Sequence, residues 1–158
     1  MLDTELLTED RRADAPPAPQ LLIAVDNTPA GRRTLISGLA QASARGAEVT
    51  VLHVVPPRRF RLARMGPSRA VATRVRDPLE SPVLRDARRL GFDHGICPSL
   101  QLVAADDVDA VILALAVQMH AATIVVGAGR RPDRVAAPLG VCHGVLRRTP
   151  VPVFVVPS

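Results

Sequence analysis

Two short segments that could contact a ligand follow apolar runs with the length and composition of buried strands. Asp26 comes directly after the run LLIAV, and Gly127 and Gly129 come directly after the run TIVV. An aspartate at such a position can accept hydrogen bonds from a ribose or an adenine amine, while glycines let backbone N–H groups approach a phosphate at a helix N-terminus. These residue types predict a nucleotide site. Asp26 fits an ordinary turn or helix cap equally well.

Other residues with reactive side chains lack the partners that chemistry requires. Cys142 and His143 are adjacent at a predicted helix N-terminus, where the helix dipole would favour a thiolate. Sequence neighbours do not face each other on a helix and no orienting residue is found, so we predict packing for Cys142 and no catalytic residue. His53 lies inside a predicted strand as a core histidine. His94 and His120 have no partners at metal spacing, so no metal site is predicted.

The elements that must position Asp26 and the glycines alternate between strand and helix patterns. Thr28 and Pro29 mark one helix start, because a threonine can cap a helix and proline is tolerated at its first position. The order predicts an α/β fold: one doubly wound, five-stranded parallel sheet with helices on both faces, Rossmann-like. The predicted strands are 21–25, 48–55, 100–104, 123–126 and 151–156, and the predicted helices are 29–45, 81–90, 108–119 and 141–147.

Length and composition limit the chain to one domain. With 158 residues and 47% hydrophobic content, it can bury a single sizeable core. We predict a disordered leader at 1–19, a folded domain at 20–158, and an arginine-rich insertion at about 58–80. No apolar run is long enough to span a bilayer or direct export, which predicts a cytoplasmic protein without a membrane partner.

The net charge and the aromatic content limit the classes of molecule that the protein could bind. The net charge is +5, and all 20 basic residues are arginine. An anionic partner is compatible with this charge, and codon bias explains it as well. Because the chain has no Trp or Tyr and only three Phe, it lacks the aromatic platforms on which bases stack, so we expect no nucleic-acid partner. Two cysteines are too few for a disulfide framework.

Several segments resemble the universal stress protein family, each in the family's order. They are LLIAVDNTPAGRRTLISGLA with GAEVTVLHVV, then ALAVQMHAATIVVGAG, and finally VLRRTPVPVFVV. The resemblance implies a homodimeric stress-response protein whose last strand, 151–156, pairs across a two-fold axis, with ATP or AMP as candidate ligands. The nucleotide-binding residues that it implies are Asp26, Val54, Gly127, Gly129, Arg130, Gly140, Val141 and Cys142.

The family's nucleotide motif is glycine, two residues, glycine, nine residues, and then glycine followed by serine or threonine. Counted from Gly127, the second glycine falls on Arg130, and the third falls on Gly140, which Val141 follows. Aligned backward from VLRR, the motif has a one-residue deletion and keeps Gly129. That alignment makes Leu139 the last glycine and puts Gly140 at the hydroxyl position.

Both alignments lack the hydroxyl that would face a phosphate. Arg130, Arg131 and Arg134 either neutralise phosphates in its place or form a solvated basic loop. The sequence therefore leaves two functions open. One is a dimeric regulatory protein that binds an adenine nucleotide, and the other is a dimeric interaction protein of the same fold that binds none.

Overall fold

A computed structural model describes residues 16–57, 74–129 and 140–157, and the fold and site below concern these residues. They form six strands and four α-helices, with a 3-10 turn at Pro78–Glu80. In chain order the elements are β1 (Gln20–Val25), α1 (Pro29–Arg45), β2 (Glu48–Val55), β3 (Arg74–Arg76), α2 (Pro82–Asp93), β4 (Ser99–Ala104), α3 (Val108–Gln118), β5 (Thr123–Gly127), α4 (Val141–Arg148) and β6 (Val153–Val156).

The strands form one sheet in the order β3-β4-β2-β1-β5-β6. β1 is paired in parallel with β2 on one side and with β5 on the other. β4 and β6 extend the sheet outward, also in parallel, and β3 is antiparallel to β4. The chain thus builds one half of the sheet from β1 to β4 and then returns across β1 to build the other. The strand order reverses between β1 and β5.

Side-chain alternation along the central strands creates two apolar clusters. Leu21, Ile23 and Val25 of β1 pack with α1 and α2 on one face, while Leu22 packs with α3 and α4 on the other. Because helices cover both faces of the sheet, the side chains on both faces of the central strands are apolar, and polar and apolar residues do not alternate along these strands. The doubly wound architecture that the sequence predicted is confirmed.

Local signals set the limits of α1. The Thr28 hydroxyl accepts a hydrogen bond from Gly31 N–H, and Pro29 occupies the first helical position. Gly46 ends the helix in a left-handed conformation, with φ of 61°. These are the residues that predicted the boundaries.

The sheet has six strands, so the predicted count of five is one short. The additional strand, β3, lies in the segment predicted as an arginine-rich insertion, and the remainder of that segment up to residue 73 is outside the described residues. Only three residues long, β3 pairs at the sheet edge through Val75 opposite Val103. Arg-Val-Arg carries no strand pattern of its own, so pairing with β4 determines its conformation.

The predicted leader at 1–19 is described only from residue 16 onward. There the Pro19 carbonyl accepts a hydrogen bond from Glu48 N–H, which ties this segment to the start of β2. Across the ranges given above, no helix is long and apolar enough to cross a membrane.

Candidate functional site

The structure brings the two predicted segments to one edge of the sheet. Asp26 follows β1 directly, and Gly127 is the last residue of the adjacent strand β5. Both lie at the carboxyl ends of parallel strands, where the strand order reverses. Ligands of open α/β sheets bind at this point. We call this region, bounded by Asp26, Gly127 and the N-terminus of α4, the strand-end site.

The Asp26 carboxylate organises the turn into α1. One of its oxygens, Oδ1, accepts hydrogen bonds from the Thr28 hydroxyl and from Thr28 N–H, the latter at 3.1 Å. Asp26 therefore does have the turn-forming role that the sequence allowed for it. Its side chain is also exposed, and Oδ2 has no hydrogen-bond partner among the described residues, so a ligand could still bind there.

Gly127 has a packing role of its own. A Cβ atom placed on it would lie 2.7 Å from Oγ1 of Thr34, which is buried on α1. Gly127 therefore lets α1 approach β5 closely, whether or not a phosphate binds nearby.

The other two glycines, Gly129 and Gly140, are the described residues on either side of residues 130–139. Gly129 has a φ of 69°, a conformation that disfavours other residues. A Cβ atom on Gly140 would lie 3.7 Å from the Gly129 carbonyl oxygen. Gly129 and Gly140 therefore lie next to each other in space. The predicted site residue Arg130 lies outside the described residues.

Among the described residues, no side chain caps the N-terminus of α4. Gly140 is the N-cap residue, and its carbonyl accepts hydrogen bonds from His143 and Gly144 N–H at 2.9 and 3.1 Å. The N–H groups of Val141 and Cys142 have no acceptor within the described ranges. Uncapped amides at a helix N-terminus favour an anion. The preceding residue, Gly140, lies beside Gly129, so the start of α4 belongs to the strand-end site.

The side chains of Val54 and Cys142 are half-buried and pack against the apolar cluster beneath α3 and α4. Burial raises the pKa of the Cys142 thiol above its usual value, which keeps the thiol protonated at neutral pH. Only the backbone of Cys142 is therefore suited to an anion. This geometry agrees with the packing role predicted for its side chain.

Sequence reasoning missed a polar cluster on the opposite face of β2. His53 is buried, and its Nδ1 lies 2.9 Å from the Ser81 hydroxyl at the start of α2. Asn27 Oδ1 accepts a hydrogen bond from Val83 N–H at 3.0 Å, so the turn after β1 also holds this helix end. Contacts between residues so far apart in sequence leave no spacing signal. The prediction of a core histidine is consistent with the burial of His53.

A cavity of about 280 Å³ lies beside this cluster. We call it the β2 cavity. Its lining includes Asn27, His53, Arg76, Glu80, Ser81 and Leu102.

Burial lowers the pKa of His53, and the nearby Asp26 carboxylate partly opposes that shift. The unfolded imidazole titrates near pH 6.5, so as the pH falls through that value the unfolded chain takes up a proton before the folded one does. Stability is therefore expected to fall as the pH drops below about 6.5. The measurement is the urea midpoint between pH 8 and pH 5.5 for wild type and His53→Asn, in which the amide can still contact Ser81.

His53→Asn should flatten this pH dependence even though it lowers stability overall. His120→Asn is the matched control, because His120 is exposed and has a φ of 52°, which asparagine tolerates. The control should keep the wild-type slope. An unchanged slope in His53→Asn would assign the pH dependence to other groups.

Within the described ranges, no group of three or more His, Cys, Asp or Glu residues could hold a metal ion.

Comparison with family sequence models gives a match to the universal stress protein family over residues 19–157. The chain belongs to the universal stress protein family. Comparison with curated protein sequences gave no match.

Solved structures show the same fold at low sequence identity. A universal stress protein from Archaeoglobus fulgidus is 21% identical, with a TM-score of 0.64 over 89% of this chain and 98% of that one. A universal stress protein in complex with cAMP is 20% identical, with a TM-score of 0.62 over 87% and 95% of the two chains. The Archaeoglobus fulgidus protein in complex with dAMP is 20% identical, with a TM-score of 0.59 over 88% and 97%.

Proposed function

We propose that this universal stress protein is a dimeric, cytoplasmic regulatory protein that binds an adenine nucleotide, ATP or AMP, at the strand-end site. One observation carries the proposal. Gly140, which directly precedes Val141 and Cys142, lies beside Gly129 at the carboxyl-end edge of the sheet that also carries Asp26, and the amides of Val141 and Cys142 have no acceptor among the described residues. The amides suit a phosphate and the carboxylate suits a ribose or an adenine amine. Two structures with the same fold are complexes with cAMP and dAMP, which supports this choice of ligand class.

The dimer part of the proposal is supported by strand β6. It lies at the end of the sheet order and consists of Val-Phe-Val-Val without a charged residue. Its Phe154 side chain is 39% exposed. Monomeric proteins protect such edges with charges, bulges or prolines inside the strand, so an apolar edge of this kind suits pairing with a second copy.

The proposed protein binds its nucleotide and does not hydrolyse it. Hydrolysis would need a nucleophile or general base beside the phosphates, and one candidate nucleophile at the start of α4, the Cys142 thiol, is kept protonated by burial. Phosphate release from ATP should therefore stay at the level of a control without protein.

A second function is favoured by one feature of α4. Residues 139–142 are Leu-Gly-Val-Cys and contain no hydroxyl to contact a phosphate. Without that contact, the fold and the dimer could serve a protein partner with no nucleotide bound. Calorimetric titration with ATP, AMP and cyclic AMP separates the two functions. We expect micromolar binding, worth about −8 kcal/mol, and no heat with any of the three nucleotides would favour the interaction protein.

Two variants test whether binding occurs at the strand-end site. Asp26→Asn keeps an acceptor for Thr28 but removes the charge, and it should weaken binding by about tenfold or more. Asp93→Asn, at an exposed residue that ends α2, makes the same charge change away from the site and should bind like wild type. Equal affinities for both variants would place the nucleotide elsewhere.

Gly140→Asp should change stability and binding in opposite directions. An aspartate at this N-cap can accept hydrogen bonds from the free amides of α4, which stabilises a helix by about 1 kcal/mol. The same carboxylate would occupy and repel the position of a phosphate. A raised melting temperature with lost nucleotide binding is the expected result, and unchanged affinity would show that these amides do not contact the ligand.

A further inference from the structure

The β2 cavity lies on the opposite side of the sheet from the predicted contact at Val54. Successive residues of a strand face opposite sides, and Val54 packs with the α3 and α4 cluster. His53 faces the other way and meets Ser81 of α2. The two regions adjoin at the turn after β1, where Asp26 belongs to the strand-end site and Asn27 lines the cavity, and at the end of β2, where Val55 lines the cavity. The side chains that line the cavity from β2 nevertheless include His53, which faces away from the side that carries Val54.

The polar side chains around the β2 cavity have more unused hydrogen-bond donors than unused acceptors among the described residues. Asn27 uses its Oδ1 to hold Val83 N–H, which leaves both amide hydrogens unused among the described residues. Arg76 donates from one guanidinium nitrogen to Glu80 at 2.5 Å, and its other N–H groups have no hydrogen-bond partner among the described residues. Among the described residues, the unused carboxylate oxygens near the cavity are Glu80 Oε1 and Asp26 Oδ2, fewer than the unused N–H groups. Unused donors therefore point to a ligand rich in acceptors.

His53 supplies the third polar group. Its side chain is only 5% exposed, and Nδ1 is engaged by Ser81. Nε2 has no protein partner within the described ranges and is not among the atoms sealed from solvent without one. Because His53 lines the cavity, we infer that Nε2 faces it. An imidazole held in this way can donate to an anion directly or after taking up a proton.

The remaining walls of the cavity are apolar. Val55 and Leu102 come from the neighbouring strands β2 and β4, and Pro56 follows them. A guanidinium fork matches the planar geometry of a carboxylate, and an aliphatic wall matches a short hydrocarbon chain. Inorganic phosphate would satisfy the donors but leave this wall without a contact.

We propose that the β2 cavity binds a small aliphatic carboxylate, with its oxygens held by Arg76, Asn27 and His53 and its hydrocarbon part against Val55 and Leu102. The charged groups that face His53 from the surrounding elements are Asp26, Arg76 and Glu80. A bound carboxylate adds a negative charge there. Protonation of His53 should therefore become easier in the complex, and binding should tighten as the pH falls from 8 to 6.

Imidazole NMR with butyrate as the probe tests this inference on the full chain. The protein has four histidines, and the His53→Asn variant assigns the His53 signal. Butyrate should shift that signal saturably, while inorganic phosphate and chloride at equal ionic strength should not. A shift that follows ionic strength for every anion, no saturation, or a response to phosphate alone would overturn the carboxylate site.

Two variants with folded-state controls localise the effect. Asn27→Asp still accepts from Val83 N–H but replaces the free donors with a negative charge, and Arg76→Gln removes the fork. Each should weaken butyrate binding by about tenfold or more. Arg88→Gln, an exposed arginine on α2, removes the same charge and should bind like wild type. If Arg76→Gln and Arg88→Gln weakened butyrate binding equally, the loss would come from the change in net charge alone, and the proposed site would be wrong. Nucleotide titration is independent of this result.

Discussion

Replacing Gly31 with alanine is expected to lower the free energy of unfolding by about 3 kcal/mol. A Cβ atom on Gly31 would lie 2.3 Å from the Asp26 carbonyl oxygen and 2.3 Å from Oδ1 of the same residue. The carbonyl cannot move away easily, because Asp26 directly follows the central strand β1. The expected result is a lower urea midpoint measured by circular dichroism.

Gly140→Ala is the matched control for this substitution. Its new Cβ would make an ordinary contact at 3.7 Å, and its φ of −60° suits any residue. The control should lose about 1 kcal/mol or less, because alanine is a poorer N-cap residue than glycine. A loss below about 1 kcal/mol in Gly31→Ala would mean that the turn at Asp26 yields readily, which would weaken the view of Asp26 as a rigidly placed ligand.

The sequence predicted the elements whose signals are local. Thr28, Pro29 and Gly46 lie at the ends of α1, and Asp107 caps α3 as expected, with its carboxylate accepting from Ala110 N–H at 3.0 Å. Such signals lie within a few residues of the boundary that they mark. The fold class followed from their order, since alternating strands and helices have few topological solutions.

Helix α2 shows how a local signal can be misread. The sequence predicted a helix over 81–90 that ends just before Gly91, but the helix continues to Asp93. A Cβ on Gly91 would lie 2.8 Å from Pro98 and 2.9 Å from the Ile96 carbonyl oxygen. The glycine is therefore explained by the chain that crosses the helix. Contacts with residues further along the chain cannot be read from a glycine alone.

The same contrast between local signals and long-range contacts applies to the residues of the two candidate sites. Asp26 and Gly127 were predictable because each follows an apolar strand, and parallel strands share an edge for their carboxyl ends. The packing of Gly127 against Thr34 and the bond between His53 and Ser81 were not. Both join elements that meet only after the sheet and its helices assemble. The role of Arg130 stays a prediction.

Proline at Val153 is expected to abolish the proposed dimer while leaving the monomer folded. Ile124 N–H donates to the Pro152 carbonyl at 2.9 Å, and Ala128 N–H donates to the Val156 carbonyl at 2.8 Å. In a parallel pair this alternation assigns the backbone groups of Phe154 to β5 and turns those of Val153 toward the open edge. A proline at Val153 therefore removes a donor that only a partner could use.

Phe154→Pro provides the contrasting variant, because it removes a donor within the pair of β5 and β6. It should destabilise the monomer itself by about 3 kcal/mol, a cost comparable to proline inside a helix. Sedimentation and circular dichroism together separate the two effects. A folded monomer for Val153→Pro and a destabilised protein for Phe154→Pro would place the interface on the edge of β6. A Val153→Pro variant that remains dimeric would require the two copies to meet through other surfaces, of which the exposed apolar residues of α3 and α4, Val117 and Leu146, are the first to test.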